Sequence, residues 1–240
     1  MSYYVCSDIH GRFDRYQKLL DQIQLTSDDR LFILGDVIDR NPDGILILQD
    51  AISRSNVELF LGNHEWFLYQ TISAVGTEFV TDEYMQMIWC SPNNGGAVTA
   101  AAFCRLEDQE KRKILAAIEE STLLRVLEID GIRYHLSHSF TLADRQADFY
   151  RFKDVSSKEA ENVVWKSFFR KGEYHARYSA FDPTLRYIVG HVPVQRFSGD
   201  SCIYTYRHIT DVDCGSAYSF LDGNSLACLR LDDQKEYYIR

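Results

Sequence analysis

Of the seven histidines in this 240-residue chain, four stand inside short polar motifs of one kind. Asp8-Ile9-His10-Gly11 sets a carboxylate two positions from an imidazole. Gly35-Asp36-Val37-Ile38-Asp39-Arg40 joins two carboxylates to a guanidinium, and Gly62-Asn63-His64-Glu65 adds an amide, an imidazole and another carboxylate. Further along come Leu136-Ser137-His138-Ser139 and Gly190-His191-Val192-Pro193. Oxygen and imidazole donors without thiolate suit manganese, iron or zinc better than calcium, which takes all-oxygen shells. Singly, each motif has an ordinary structural reading: a helix cap, a surface ion pair, a turn leading into a helix. Together, they would bury unpaired carboxylates and imidazoles at heavy cost unless a cation made them ligands.

Each motif directly follows a short apolar run, and those runs are what must position it. Residues 3–6, 31–34, 57–61, 132–136 and 187–189 read as buried strands. Between the first two, Phe13, Tyr16, Leu19, Leu20 and Ile23 recur at helical steps; Ile45, Leu46, Leu48 and Ile52 do so before the third. The start is therefore βαβαβ. Asp8 and Asp36 are 28 positions apart and Asp36 and Asn63 are 27 apart, about one strand–helix unit each. That spacing predicts their meeting at one edge of a parallel sheet, where α/β proteins bind ligands. Residues 66–125 read as mainly helical. Residues 200–240 show strands around an Asp222-Gly223-Asn224 turn, which predicts a second sheet. With no repeat, linker or charge block, the expectation is a single domain over 1–240 with a cap-like, mainly helical insert at about 66–125.

Composition narrows the class further. With 45% apolar and 25% charged residues and only 4 Pro, disordered and fibrous classes are excluded. Lys and Arg number 26 against 35 Asp and Glu, a net charge of −9. Such a chain gets no general electrostatic help toward nucleic acid or anionic membrane, and neither partner is expected. No apolar run approaches the roughly 18 residues of a membrane span, and the first residues lack a basic-then-apolar signal, so cytoplasmic residence is expected. The six cysteines are scattered without a paired motif and read as buried, reduced thiols. His135, His175 and His208 have no ligand-like spacing, and Trp66, Trp89, Tyr84 and Phe79 read as core. No phosphate-binding glycine loop of the nucleotide-binding kinds is present.

The series Asp8-x-His10, Gly35-Asp36-x-x-Asp39-Arg40, Gly62-Asn63-His64-Glu65, His138 and Gly190-His191 resembles the calcineurin-like metallophosphoesterases, in particular their phosphoprotein-phosphatase branch with its bacterial members. Asn94-Gly95-Gly96 with Thr99 resembles their cap motif, and Asp213-Cys214-Gly215 their late Asp-Thr-Gly. The resemblance implies an α/β fold of two mixed sheets packed as a sandwich, with helices on the outer faces. It implies that Asp8 and His10 bind one metal ion and Asn63, His138 and His191 a second, with Asp36 bridging. The two ions, manganese first and iron or zinc as alternatives, would activate a shared water as hydroxide to attack phosphorus. Arg40 and Asn63 would bind the phosphate, His64 would protonate the leaving oxygen, and Asp39 would hold His64. The expected activity is that of a phosphatase on phosphomonoesters, serine/threonine phosphoproteins among them. The alternatives are hydrolysis of symmetrical bis(5′-nucleosyl) tetraphosphates and, from another class, a catalytically silent scaffold. The substrate is thus a phosphorylated protein or a small phosphoester or nucleotide.

Four departures from the family pattern bear on the site. Ser7 and Asn41 stand where the family has glycine, Ser139-Phe140 are expected to narrow the pocket, and Trp165-Lys166-Ser167 lacks a second phosphate-binding arginine. Lys166, Arg170, Arg177 and Arg186 are the candidates to replace it.

Overall fold

Alternation of apolar residues dictates two-faced strands, and helices between them cover one face. The computed structural model describes residues 1–142, 145–169 and 181–240. It begins β1 (Tyr3–Cys6), α1 (Phe13–Ile23), β2 (Arg30–Ile33), α2 (Gly44–Ser53), β3 (Val57–Leu59) and α3 (Asn63–Thr71). The middle comprises β4 (Ile72–Val75), β5 (Glu78–Thr81), α4 (Glu83–Trp89), α5 (Ala97–Cys104) and α6 (Asp108–Glu119). Then follow β6 (Thr122–Ile129), β7 (Ile132–Ser137), β8 (Phe149–Arg151), α7 (Ser157–Trp165), β9 (Leu185–Val189), β10 (Tyr204–Tyr206), β11 (Ile209–Asp211), β12 (Leu226–Arg230) and β13 (Glu236–Ile239).

The first sheet has the order β13-β12-β1-β2-β3, the second β10-β11-β9-β7-β6-β8. Strands β1, β2 and β3 run parallel, and so do β7, β9 and β11. The two sheets pack face to face through Val5, Phe32, Leu34 and Phe60 on one side and Tyr134, Leu136, Ile188 and Val212 on the other. On the outer face of the first sheet, Tyr4, Cys6, Leu31 and Ile33 pack against Tyr16 and Leu19 of α1 and Ile45 and Leu48 of α2. The outer face of the second carries Leu185, Tyr187 and Val189, packed against Phe168 and Phe169. This is the expected α/β sandwich of mixed sheets.

The structure refines three expectations. Residues 200–240 do not form a sheet of their own: β10 and β11 join the second sheet, while β12 and β13 extend the first beside β1. Within 66–125, the β4–β5 hairpin interrupts the helices. It buries only Ile72 along β4 and leaves Val75 and Val80 exposed, so it carries no periodic apolar signal. Three cysteines (Cys6, Cys214 and Cys228) are buried, but Cys104 and Cys202 are exposed. Among the described residues no helix is long and apolar enough to cross a membrane.

Candidate metal centre

The parallel strands deliver their C-terminal ends to one place. Asp8 follows β1, Asp36 follows β2, Asn63 opens α3 just past β3, His138 follows β7, and His191 follows β9. At most of these ends the chain turns sharply: Asp8, His10, Asp36, Asp39, Arg40 and His191 have φ of 55°, 48°, 53°, 72°, 67° and 79°. Residues other than glycine rarely adopt that left-handed region, and its cost is of order 1 kcal/mol or more each. The loops offset it by bonding to each other: the amides of Asp8, His10 and Gly11 donate to the carbonyls of Gly35, Asp36 and Val37 at 3.1, 2.9 and 2.8 Å. Glu65 completes the bracing. Its buried carboxylate accepts from the amides of Asp36, Val37, Ile38 and Gly62 at 2.8, 2.8, 3.2 and 3.2 Å. Glu65 is therefore a clamp on the Asp36 loop, and its two oxygens are already occupied.

The side chains converge with their lone pairs facing one another. His138 Nδ1 donates to the Leu34 carbonyl at 2.6 Å, which leaves Nε2 as an acceptor. That Nε2 lies 3.1 Å from Asn63 Oδ1, 3.3 Å from His191 Nδ1 and 3.5 Å from Asp36 Oδ2. Asn63 Oδ1 is 2.9 Å from His191 Nδ1. On the other side of Asp36, His10 Nδ1 donates to the Ile38 carbonyl at 2.9 Å. Its Nε2 faces Asp36 Oδ2 at 3.6 Å and Asp8 Oδ1 at 3.8 Å. Asp36 thus belongs to two donor groups, one with His138 and His191 and one with His10 and His64. Asp8 Oδ2 is tied back by the Ser7 hydroxyl at 2.5 Å and the His191 amide at 2.9 Å.

Beside this cluster stands a second array. Asp39 Oδ2 accepts from His64 Nδ1 at 2.6 Å and from Trp89 Nε1 at 2.7 Å. The Asp39 amide donates to Thr99 Oγ1 at 2.9 Å, and the Arg40 amide to the Gly95 carbonyl at 3.1 Å. Helices α4 and α5 of the insert therefore set the position of the Asp39–His64 pair and of Arg40. The Arg40 guanidinium contacts His10 Nε2 and lies 3.1 Å from His64 Nε2.

Burial without matching positive charge governs the ionisation of these groups. Burial pushes Asp36 well above the usual carboxylate range, reinforced by Asp8 and Glu65. It lowers His10 well below its usual value, helped by the charges on Arg40 and His64, and it lowers His138. Asp211 and Asp213, behind the centre, are raised by burial and by neighbouring carboxylates. An array of inward-facing acceptors with tautomers set by backbone carbonyls fits bound cations: positive charge would satisfy the lone pairs and restore the ionised carboxylates.

The candidate residues Asp8, His10, Asp36, Asn63, His138 and His191 are thus brought together, with Asp39, Arg40 and His64 beside them. Trp89 is buried, as expected of a core residue, and it also donates to Asp39. Ser139 Oγ donates to the Lys166 carbonyl at 2.5 Å, and the Phe140 ring lies tilted against that of Phe168 at 4.7 Å between centres. Asn41 Nδ2 ties the His10 carbonyl at 2.8 Å. Arg170, His175 and Arg177 lie outside the described residues.

The profile of the family described as calcineurin-like phosphoesterase matches residues 1–214. A symmetrical bis(5′-nucleosyl)-tetraphosphatase of Erwinia tasmaniensis is 34% identical over 90 residues, 37% of this chain and 33% of its own. Matches of this kind span about a third of the relatives' length or less. Among solved structures, a metallophosphoesterase from Sphaerobacter thermophilus superposes with a TM-score of 0.58 at 15% identity, covering 100% of this chain and 88% of that one. A protein serine/threonine phosphatase from Saccharomyces cerevisiae gives a TM-score of 0.52 at 14% identity, with 99% and 78% covered.

Proposed function

The chain belongs to the calcineurin-like phosphoesterase family, and from that premise we propose that it is a phosphohydrolase working with two bound cations. Asp8 and His10 would hold one ion, Asn63, His138 and His191 the other, and Asp36 both. The observation that carries this reading is the convergence of Asn63 Oδ1, His191 Nδ1 and Asp36 Oδ2 at 3.1 to 3.5 Å on His138 Nε2, four potential ligand atoms from four strand ends. Manganese is the first choice of metal, with iron or zinc as alternatives. When bound, the ions supply Lewis acidity to the phosphoryl oxygens and to an attacking water.

The chain's own groups do the rest. Arg40 offers a planar, permanently charged fork to the phosphoryl oxygens, with the Asn63 amide beside it. As Arg40 engages phosphate it releases His64 Nε2, which can then carry the proton given to the leaving oxygen. Asp39 orients that ring through Nδ1 and stabilises its charged form, and Trp89 holds Asp39 in place. A silent scaffold would have no use for this acid pair.

The first substrate reading is a phosphomonoester, including phosphoserine and phosphothreonine in proteins. The names of the curated relatives favour a second reading, a symmetrical dinucleoside tetraphosphate. The test is turnover of p-nitrophenyl phosphate, a phosphopeptide and diadenosine tetraphosphate by protein reconstituted separately with manganese, iron and zinc. Hydrolysis of none of them with any metal refutes the proposal, and the ratio of the last two chooses between substrates.

A further inference from the structure

Arg40 shares its aromatic neighbour with another cation. Its guanidinium lies 4.8 Å from the ring centre of Tyr218, and that of Arg196 lies 5.0 Å from the same centre. The two charges are therefore separated by no more than the sum of those distances. Phe220 meets Tyr218 edge-on at 5.4 Å and is 73% exposed.

Both partners of Arg40 are built in. Arg196 ends a short turn, Val194–Arg196, five residues past His191. The Val194 amide donates to the Asp213 carbonyl at 2.9 Å and Gln195 Nε2 to the Cys214 carbonyl at 3.0 Å. The loop bearing Tyr218 is held by Arg15 of α1, whose guanidinium donates to the Ser216 carbonyl at 2.9 Å and to Asn224 Oδ1 at 2.7 Å. Among the described residues neither Arg40 nor Arg196 has a carboxylate ion-pair partner. Arg40 contacts His10 and His64 and feels the Asp36 and Asp213 carboxylates, yet two guanidiniums drawn to one ring still repel each other, and an anion between them would relieve that repulsion. The ring's negative face offsets only part of that repulsion.

We propose that Arg196 and Tyr218 form a second anion subsite beside Arg40, for a substrate whose scissile phosphate is linked to a further phosphate, and that Phe220 presents its face to the base of that nucleotide. Arg40 takes the reacting phosphoryl group and Arg196 the next one along the chain. The inference rests on the phosphohydrolase reading and deepens its dinucleotide branch: an isolated phosphoserine has nothing to offer Arg196.

The deciding measurement is calorimetric binding of ADP and of AMP to protein stripped of metal by chelation, for the wild type, Arg196→Ala and Arg196→Lys. A charge-assisted contact to phosphate predicts ADP binding about tenfold tighter than AMP in the wild type. The preference should fall to within about twofold in Arg196→Ala and return in part in Arg196→Lys. Equal affinity in the wild type, or one common factor of loss for both ligands in Arg196→Ala, overturns the subsite. In turnover, Arg196→Ala should lower the ratio of kcat/KM for diadenosine tetraphosphate to that for p-nitrophenyl phosphate by about tenfold. A wild type that hydrolyses neither refutes the phosphohydrolase reading, while the ADP and AMP affinities still judge the subsite.

Discussion

Replacing Glu65 by glutamine keeps the shape of the side chain but exchanges one carboxylate oxygen for an NH2 and removes the charge, so its effect can be worked from the contacts. Oε2 accepts from the Asp36 and Gly62 amides, Oε1 from those of Val37 and Ile38. A glutamine keeps one oxygen and turns an NH2 donor toward the other two amides, which are then buried without an acceptor. Each orphaned donor costs about 1–3 kcal/mol. Against this, burial raises the pKa of Glu65, so losing the charge returns part of its desolvation cost. The balance is a loss of about 2–4 kcal/mol from a total of roughly 5–15 kcal/mol. At about 2–4 °C per kcal/mol for a chain of this size, Tm should fall by roughly 5–15 °C. The assay is thermal unfolding in chelator, paired with metal content after reconstitution. The variant should melt early yet still take up two ions per chain. Melting within about 1 °C of the wild type would refute the clamp, and loss of one ion at full stability would make Glu65 a ligand instead.

Three further outcomes are expected. His64→Asn should retain metal but lose about 10²–10⁴-fold in turnover of esters with poor leaving groups, and far less with p-nitrophenyl phosphate; equal losses on both would remove His64 as the acid. Stripping the metal should lower Tm, since an ion at a hundred times its Kd adds about 2.7 kcal/mol; a Tm indifferent to manganese would count against the centre. In Gly190→Ala the new Cβ would lie 2.3 Å from Ser7 Oγ and 2.4 Å from Asp8 Oδ2, so metal affinity measured by calorimetry should drop. Adding Ser7→Gly should recover part of it by removing the first clash, and no loss in the single variant would mean that Asp8 is not confined as described.

What was legible in the chain was whatever periodicity and residue type encode. Of the five apolar runs, which became β1, β2, β3, β7 and β9, the central ones alternate between two buried faces, as Ile188 facing the sandwich and Tyr187 and Val189 facing outward show. The candidate residues were legible because five successive strand ends carry carboxylates, an amide and imidazoles together, a conjunction that no single cap, turn or surface ion pair accounts for. The β4–β5 hairpin was not, since a ribbon exposed on both sides needs no pattern. Nor was Arg196 visible as a neighbour of Arg40: 156 positions separate them, and only the antiparallel return of the chain through Tyr218 brings them to one ring. The second role of Trp89 was hidden for a similar reason, because its burial was predictable but the direction of its N–H was not.

The backbone at the strand ends explains how ordinary strands give an unusual cluster. A strand continuing straight would keep Asp8 and His10 on one face but carry them onward past the sheet edge, away from the Asp36 loop. A left-handed residue at Asp8 and again at His10 breaks the extended run and folds the loop back over the end of its own sheet, where it meets the Asp36 loop turned the same way. Glycine would adopt these angles more cheaply, yet glycine has no side-chain donor atom to place in the cluster, so the conformational cost falls on the residues that do. The expense is tolerable only because it is shared: the Asp8 and Asp36 loops bond each other through three backbone hydrogen bonds, and Glu65 fastens the second loop to the start of α3. Any substitution that frees one of these loops should therefore be felt at the donor atoms of both, which is why the centre is best regarded as one cooperative unit and its members as poor candidates for additive mutational effects.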